Sequence, residues 1–155
     1  MNTSHQEGNK LFIVCPFCQL ESFLTQHYGD IFFLTAPAAM YDFDTDNIQV
    51  LKEFISREHI KDVYIVGEIS CILTKGVLAH SSQSRLPCED GIKKLKSDDD
   101  SLESLTVKIL MEESGKWRNE ELLKKQINDG SLALHFLLSD KQANKILSLL
   151  IPGLS

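Results

Sequence analysis

Apolar residues in this chain gather into short, unbroken, β-rich runs separated by polar stretches, a pattern of strands buried on both faces rather than strands with one wet face. Lys10-Leu11-Phe12-Ile13-Val14 is the first run, and it ends at Cys15-Pro16. Leu20, Phe23 and Leu24 then recur at helical spacing as far as His27. Tyr28-Gly29-Asp30 signals a turn before a second run, Ile31-Phe32-Phe33-Leu34. This is a β-α-β unit, and it predicts a parallel sheet. Thr45 or Asp46 is placed to cap a helix whose Ile48, Leu51 and Ile55 share a face with Phe54 beside them. Lys61-Asp62 leads into a third run, Val63-Tyr64-Ile65-Val66-Gly67, with Cys71 just past its end.

The pattern changes near His80. HSSQSRLPCEDGIKKLKSDDD is polar, carries Pro87 and Gly91 and closes on three aspartates, so an exposed loop is expected over about 80–100. Asp98 to Asp100 reads as a solvated acidic run that caps a helix beginning near Ser101. Ser101 to Glu113 and Asn119 to Asn128 read as helices, Gly130 terminates the second, and Leu132, Leu134 and Phe136 alternate as in a strand. Two endings fit the remainder. Ser139-Asp140 can cap a last helix with Ala143, Ile146 and Leu150 on one face, or Asn144, which tolerates positive φ, can turn a hairpin into a strand from Lys145 to Leu149. The expected fold is α/β, a mostly parallel sheet of four or five strands flanked by helices. It forms a single domain over 11–151, with 1–10 as a disordered or arm-like N-terminus.

Composition narrows the partners. The 155 residues are 43% hydrophobic, enough for one packed core, and 16 basic against 22 acidic residues give a formal charge of -6, the wrong sign for holding phosphate backbones. No nucleic-acid partner is expected. No apolar run approaches the roughly 20 residues that span a bilayer, and MNTSHQEGNK lacks the regions of a secretory signal, so the expectation is no membrane and a cytoplasmic location. There the four cysteines stay reduced and serve as buried thiols, redox thiols or metal ligands.

Two of them sit where open parallel sheets keep their sites, at the carboxyl ends of strands: Cys15 after the first run and Cys71 after the third. Two thiolates meeting in one crevice, with one further oxygen or nitrogen ligand, make zinc the expected ion, and Glu68 could supply the oxygen. Spacing alone equally allows two small buried hydrophobes and a solvated carboxylate. His5, His27, His59, His80 and His135 are scattered and read as surface or packing residues. Cys88 lies in the polar stretch, eight residues from His80, and is read as chance rather than a site. There is no Gly-rich phosphate loop and no G-x-S-x-G elbow.

Between Leu11 and Leu149 the chain resembles the beta class of carbonic anhydrases. That family runs a strand into Cys-x-Asp-Ser-Arg, then Gly-Asp-x-Phe-x-x-Arg-Asn-Ala-Gly, then a strand into Gly-His-x-x-Cys-Gly, and late in the chain a Tyr-Asp-x-x-Thr-Gly-x-Val turn. Here Cys15-Pro16-Phe17-Cys18-Gln19, Gly29-Asp30-Ile31-Phe32 with Thr35-Ala36-Pro37-Ala38, Gly67-Glu68-Ile69-Ser70-Cys71-Ile72, and Ser139-Asp140 through Asn144-Lys145-Ile146 stand in the same order. The resemblance favours the terminal hairpin over the helix. It implies zinc on Cys15 and Cys71, and it leaves open the family's homodimer, although only ten residues stand where members carry a longer arm around a partner subunit.

The departures from that pattern fall on chemistry. In the family two cysteines and the histidine hold zinc, while the aspartate and arginine of the first motif gate the position where water is activated. Glu68 stands in the histidine position, Phe17 in the aspartate, Gln19 in the arginine and Ile72 in the glycine after the second cysteine. A phenylalanine cannot orient a proton, and its bulk could fill the space carbon dioxide needs. A carboxylate in place of imidazole would give zinc three anionic ligands and depress a bound water's pKa less. The expectation is therefore a carbonic anhydrase-like protein that has lost carbon dioxide hydration and acts as a binding or regulatory module for an unidentified protein partner, with or without zinc at Cys15, Glu68 and Cys71. A divergent zinc-dependent carbonic anhydrase or hydrolase is the enzymatic alternative.

A second alternative is a thiol redox protein. Cys15-Pro16-Phe17-Cys18 after a strand resembles the glutaredoxin dithiol, with Cys15 as nucleophile and Cys18 as resolving thiol. Against it, none of Pro37, Pro87 and Pro152 stands at the start of a later strand, where thioredoxin-like folds keep a cis-proline, and Cys71 has no role in that scheme.

Overall fold

The computed structural model describes residues 9–80 and 86–151, so the expected N-terminal arm lies largely outside the described residues. The strands are β1 (Asn9–Val14), β2 (Phe32–Thr35), β3 (Ile60–Glu68), β4 (Ala133–Asp140) and β5 (Lys145–Ser148). They form one sheet in the order β2-β1-β3-β4-β5, with the first four parallel and β5 antiparallel to β4. The helices are α1 (Glu21–Tyr28), α2 (Thr45–Arg57), α3 (Ile72–Leu78), α4 (Pro87–Leu95), α5 (Leu102–Arg118) and α6 (Glu121–Asn128). No helix among the described residues is long and apolar enough to cross a membrane.

The continuous apolar runs are explained by burial on both sides of the sheet. Leu11 and Ile13 of β1, Val63 and Ile65 of β3, and Phe136 and Leu138 of β4 pack with Ile48, Leu51 and Ile55 of α2 and Leu123 of α6. Their alternating neighbours Phe12, Val14, Val66 and Leu137 face the other way, onto α1, α3, α4 and the start of α5. Period-two alternation and two covered faces together make the strand centres apolar except where Tyr64 of β3 pairs with His135 of β4. Helix α5 comes close to β3 at Gly67, where a Cβ would stand 2.8 Å from Thr106 Cγ2 and 3.2 Å from Leu110.

Two expectations are corrected, and of the two endings left open the favoured one is found. Much of the segment expected as an exposed loop forms α4: Pro87 fits the first helical turn, Glu89 reaches back to the Leu86 amide at 2.9 Å, and Ile92 is fully buried between its charged neighbours. Residues 81–85 of that segment lie outside the described residues. Helix α2 is capped by Asp44 rather than Thr45 or Asp46, its carboxylate accepting from the Asn47 amide at 2.8 Å. The chain ends in the hairpin, not the helix, with Asn144 at φ 55° in the turn.

Helix starts elsewhere follow the expected chemistry. Ser101 caps α5 through the Ser104 amide at 3.1 Å. Asp100 accepts from Lys108 and from the Ser97 amide, which hold its carboxyl down at about 2.

Candidate metal centre

Strand β1 lies between β2 and β3, so the chain leaves β1 toward one side and returns into β3 on the other. Connections that diverge in this way open a crevice at the carboxyl ends of the two central strands. Cys15 follows β1, and Glu68 ends β3. Each is followed by a tight turn, closed by the Cys18 amide donating to the Cys15 carbonyl at 3.2 Å and the Cys71 amide donating to the Glu68 carbonyl at 3.1 Å. These turns bring Cys18 and Cys71 back over the crevice.

The sulfurs of Cys15, Cys18 and Cys71 all lie within 4.8 Å of one another, and those of Cys15 and Cys71 are 3.9 Å apart. The three residues are 3%, 8% and 4% exposed, so bulk solvent does not separate them. Their protons are shared unequally. Hydrogen bonds from Cys15 and Cys18, with the Thr74 and Leu73 amides at the start of α3, pull the Cys71 thiol far below its usual range. Cys18 is pushed up by its hydrogen bonds to Cys15 and Cys71 and by burial. Cys15 is drawn down by Cys18, but its bond to Cys71 and burial outweigh this and push it up.

Glu68 is buried beside this cluster, but its carboxylate faces other donors. Oε1 accepts from the Ser139 hydroxyl at 2.7 Å and the Lys141 amide at 3.1 Å, and Oε2 accepts from the Ser70 hydroxyl at 2.6 Å and the Ser70 amide at 3.2 Å. It ties the end of β3 to the β4–β5 hairpin. The hairpin in turn reaches the first cysteine loop, since Lys141 Nζ donates to the Cys18 carbonyl at 2.9 Å and the Gln19 carbonyl at 3.4 Å. The convergent donor set among the described residues is all sulfur, without a Glu68 oxygen.

The other motif positions point away from the sulfurs. Phe17 is 52% exposed at the corner of its turn, so its ring, which the sequence allowed to point either into the pocket or out, stands outside it. Gln19 is exposed at φ 53°, and Ile72 is 63% exposed on the first turn of α3. Ala38, where the family motif has glycine, holds the left-handed conformation at φ 57° and lines the crevice. The cavity there, bounded by Cys15, Cys71, Ala38, Thr74 and Thr106 among others, has a volume of about 10 Å³, space for one water. Cys88 lies on α4 outside the trio, its thiol pushed up to about 11 by burial. His135 pairs with Asp62 at 2.8 Å and stacks on Tyr64, and His27 packs on Phe23, so neither reaches the sulfurs. Ser139 and Lys141 fall in the last of the motif segments, but nothing in that segment pointed to a bond with Glu68. The signal for Cys18 was its spacing from Cys15, which serves metal binding as well as redox chemistry.

The Cys15 and Cys71 sulfurs are spaced as a tetrahedral zinc ion would need. Tetrahedral zinc with bonds of about 2.3 Å separates two sulfurs by about 3.8 Å, close to the 3.9 Å between Cys15 and Cys71.

No protein-family model matches the chain, and no curated protein sequence does. Solved structures do. A variant of the beta-carbonic anhydrase CafD of Aspergillus fumigatus superposes with a TM-score of 0.78 at 16% identity, over 93% of this chain and 90% of that one. Its fold is that of the beta-carbonic anhydrases. The beta-carbonic anhydrase CcaA gives 0.70 at 18% identity over 94% and 82% of the two chains. One of the tetrameric beta-carbonic anhydrases of Sordaria macrospora gives 0.68 at 15% over 92% and 80%. At these identities the likeness establishes a divergent carbonic anhydrase-like fold, with the three thiols at the strand ends where its cleft opens.

Proposed function

We propose that the chain is a carbonic anhydrase-like protein that does not hydrate carbon dioxide and acts as a binding or regulatory module, with zinc held by Cys15, Cys18 and Cys71. The observation that carries this reading is the convergence of three buried sulfurs on one point. Zinc bound there would supply Lewis acidity, but hydration also needs an open position, room for the substrate and a polar side chain to orient water. Beside these sulfurs the cavity measures about 10 Å³, and the residues at the family's aspartate and arginine positions face solvent. Glu68 in this reading anchors the hairpin and is not a ligand. Self-association, as in the tetrameric Sordaria enzymes, belongs to the same proposal and is checked by sedimentation.

Elemental analysis of protein purified without added metal or chelator tests the reading, with free thiols counted in parallel. About one zinc per chain is expected, lost in Cys15→Ser, Cys18→Ser and Cys71→Ser. Carbon dioxide hydration should proceed at the rate of buffer alone. Hydration that depends on Cys71 would favour the divergent zinc enzyme instead, and metal-free protein with all thiols reactive would favour the dithiol.

A further inference from the structure

We propose that Cys15, Cys18 and Cys71 also form a receptor for trivalent arsenic, bound as a neutral three-sulfur adduct. The inference rests on the reading that the trio is a ligand site, and it follows from the number, kind and charge of the donors.

All three donors are soft sulfurs, and neither a histidine nor a carboxylate joins them among the described residues. Soft thiolates select thiophilic ions over hard ones. A fourth ligand is hard to find on this chain: the Glu68 oxygens are engaged by Ser70, Ser139 and Lys141, and the cavity beside Cys15 and Cys71 is about 10 Å³. Zinc takes four ligands, so beside these three sulfurs it would depend on the one water that the cavity admits. Trivalent arsenic is complete with three and carries a lone pair on its open side.

Charge points the same way. Three thiolates on a divalent ion leave a net negative charge among residues 3%, 8% and 4% exposed. The Lys141 ammonium group, held at the carbonyls of Cys18 and Gln19, offsets part of that charge from outside the trio. Burying the remainder is costly. Arsenous acid avoids it: with Cys71 entering as the thiolate, two S–H bonds and three As–O bonds break, three As–S bonds form, two of the departing hydroxyls take the thiol protons and the third takes one from solvent, and three waters leave. Arsenic stays trivalent, nothing is oxidised or reduced, and the adduct is neutral.

The requirement for three sulfurs gives a test. Inorganic arsenite needs all three, whereas phenylarsine oxide, with one bond taken by carbon, needs two. Reduced full-length protein should take up one arsenite, seen in the intact mass as one arsenic less three hydrogens, with three sulfur neighbours and no oxygen by X-ray absorption. Cys18→Ser should lose arsenite by more than the roughly 10–100-fold that removing an outer partner of a site costs, yet keep phenylarsine oxide through Cys15 and Cys71. That retained binding also reports that the variant is folded. Cys88→Ser should leave both unchanged. Arsenite refused by wild type, bound through two sulfurs, or held equally by Cys18→Ser overturns the inference. Zinc retained with arsenite refused would sink the arsenic site alone, and arsenite bound by protein that never holds zinc would sink the zinc reading alone.

Discussion

Glu68→Gln separates a structural acceptor from a metal ligand, because the two roles predict opposite results in metal-free protein. The carboxylate oxygens accept from two hydroxyls, Ser70 at 2.6 Å and Ser139 at 2.7 Å, and from the backbone amides of Ser70 at 3.2 Å and Lys141 at 3.1 Å. A glutamine must present its NH₂ to one side. Hydroxyls can rotate to accept from it, but a backbone N–H cannot, so one amide is left facing a donor whichever way the side chain flips. Losing a hydrogen bond to a charged group costs about 1.5–3 kcal/mol and an unsatisfied buried donor about 1–3 kcal/mol. Allowing for overlap, metal-free Glu68→Gln should be about 2–4 kcal/mol less stable, which for a domain of this size lowers Tm by roughly 4–16 °C. Zinc stoichiometry should stay at wild-type level. Urea denaturation of chelator-treated protein and elemental analysis of the untreated variant read the two quantities separately. A metal-free variant within about 0.5 kcal/mol of wild type that has lost its zinc would make Glu68 a ligand and refute the reasoning.

Ser139→Ala removes the fully buried partner of the same carboxylate and should cost about 1.5–3 kcal/mol in urea denaturation without changing metal content. Gly67→Ala places a Cβ 2.8 Å from Thr106 Cγ2 and should cost about 1–3 kcal/mol, with no loss if α5 can back away from β3. Lys141→Met frees the Cys18 and Gln19 carbonyls, so amide exchange across Cys15–Leu20 should quicken while global stability shifts by less than about 1 kcal/mol. Glu113 is fully buried on α5, and burial raises its carboxyl pKa more than Lys116 and the Tyr41 amide lower it. A carboxyl raised in the native state adds stability below its unfolded pKa and loses it as pH rises through the folded one. Glu113→Gln should therefore be the more stable protein at neutral pH, with an advantage that shrinks toward about pH 4; an advantage that grows on acidification would contradict the assignment.

How much of this was legible follows from the range of each signal. Runs such as Leu11–Val14 and Val63–Gly67 announce two-sided burial locally, so the parallel sheet and the strand-end positions of Cys15 and Cys71 could be read directly. Helix α4 could not, because Ile92 and Leu95 are isolated among lysines and aspartates and the helix depends on Glu89 reaching back to Leu86. The orientation of Phe17 is set by a single turn bond between Cys18 and Cys15, which turns residue 17 outward and Cys18 inward. Composition carries no trace of that bond. The partners of Glu68 are more distant still: Ser139 and Lys141 are 71 and 73 residues away and meet it only because β3 pairs with β4 at Glu68–Ser139.

That pairing also explains why changes at separate motifs hang together. A carboxylate in place of a neutral imidazole next to easily ionised Cys71 would repel it, and burial would make the repulsion costly. The structure resolves the conflict by giving the carboxylate a different set of donors, the hydroxyls of Ser70 and Ser139 and the Lys141 amide, so that its charge faces the hairpin. The position near the Cys15 and Cys71 sulfurs is taken by Cys18, carried inward by the turn that follows Cys15. Lys141 links the two adjustments, since its amide binds Glu68 while its ammonium group holds the Cys18 carbonyl. In the proposed reading Glu68 serves structure and Cys18 serves binding, and Lys141 links the two. That link predicts energetic coupling: in a double-mutant cycle, Glu68→Gln should weaken zinc or arsenite binding less in a Lys141→Met background than in wild type, by about 0.5–3 kcal/mol. Strict additivity would mean that Lys141 does not couple the carboxylate to the thiols.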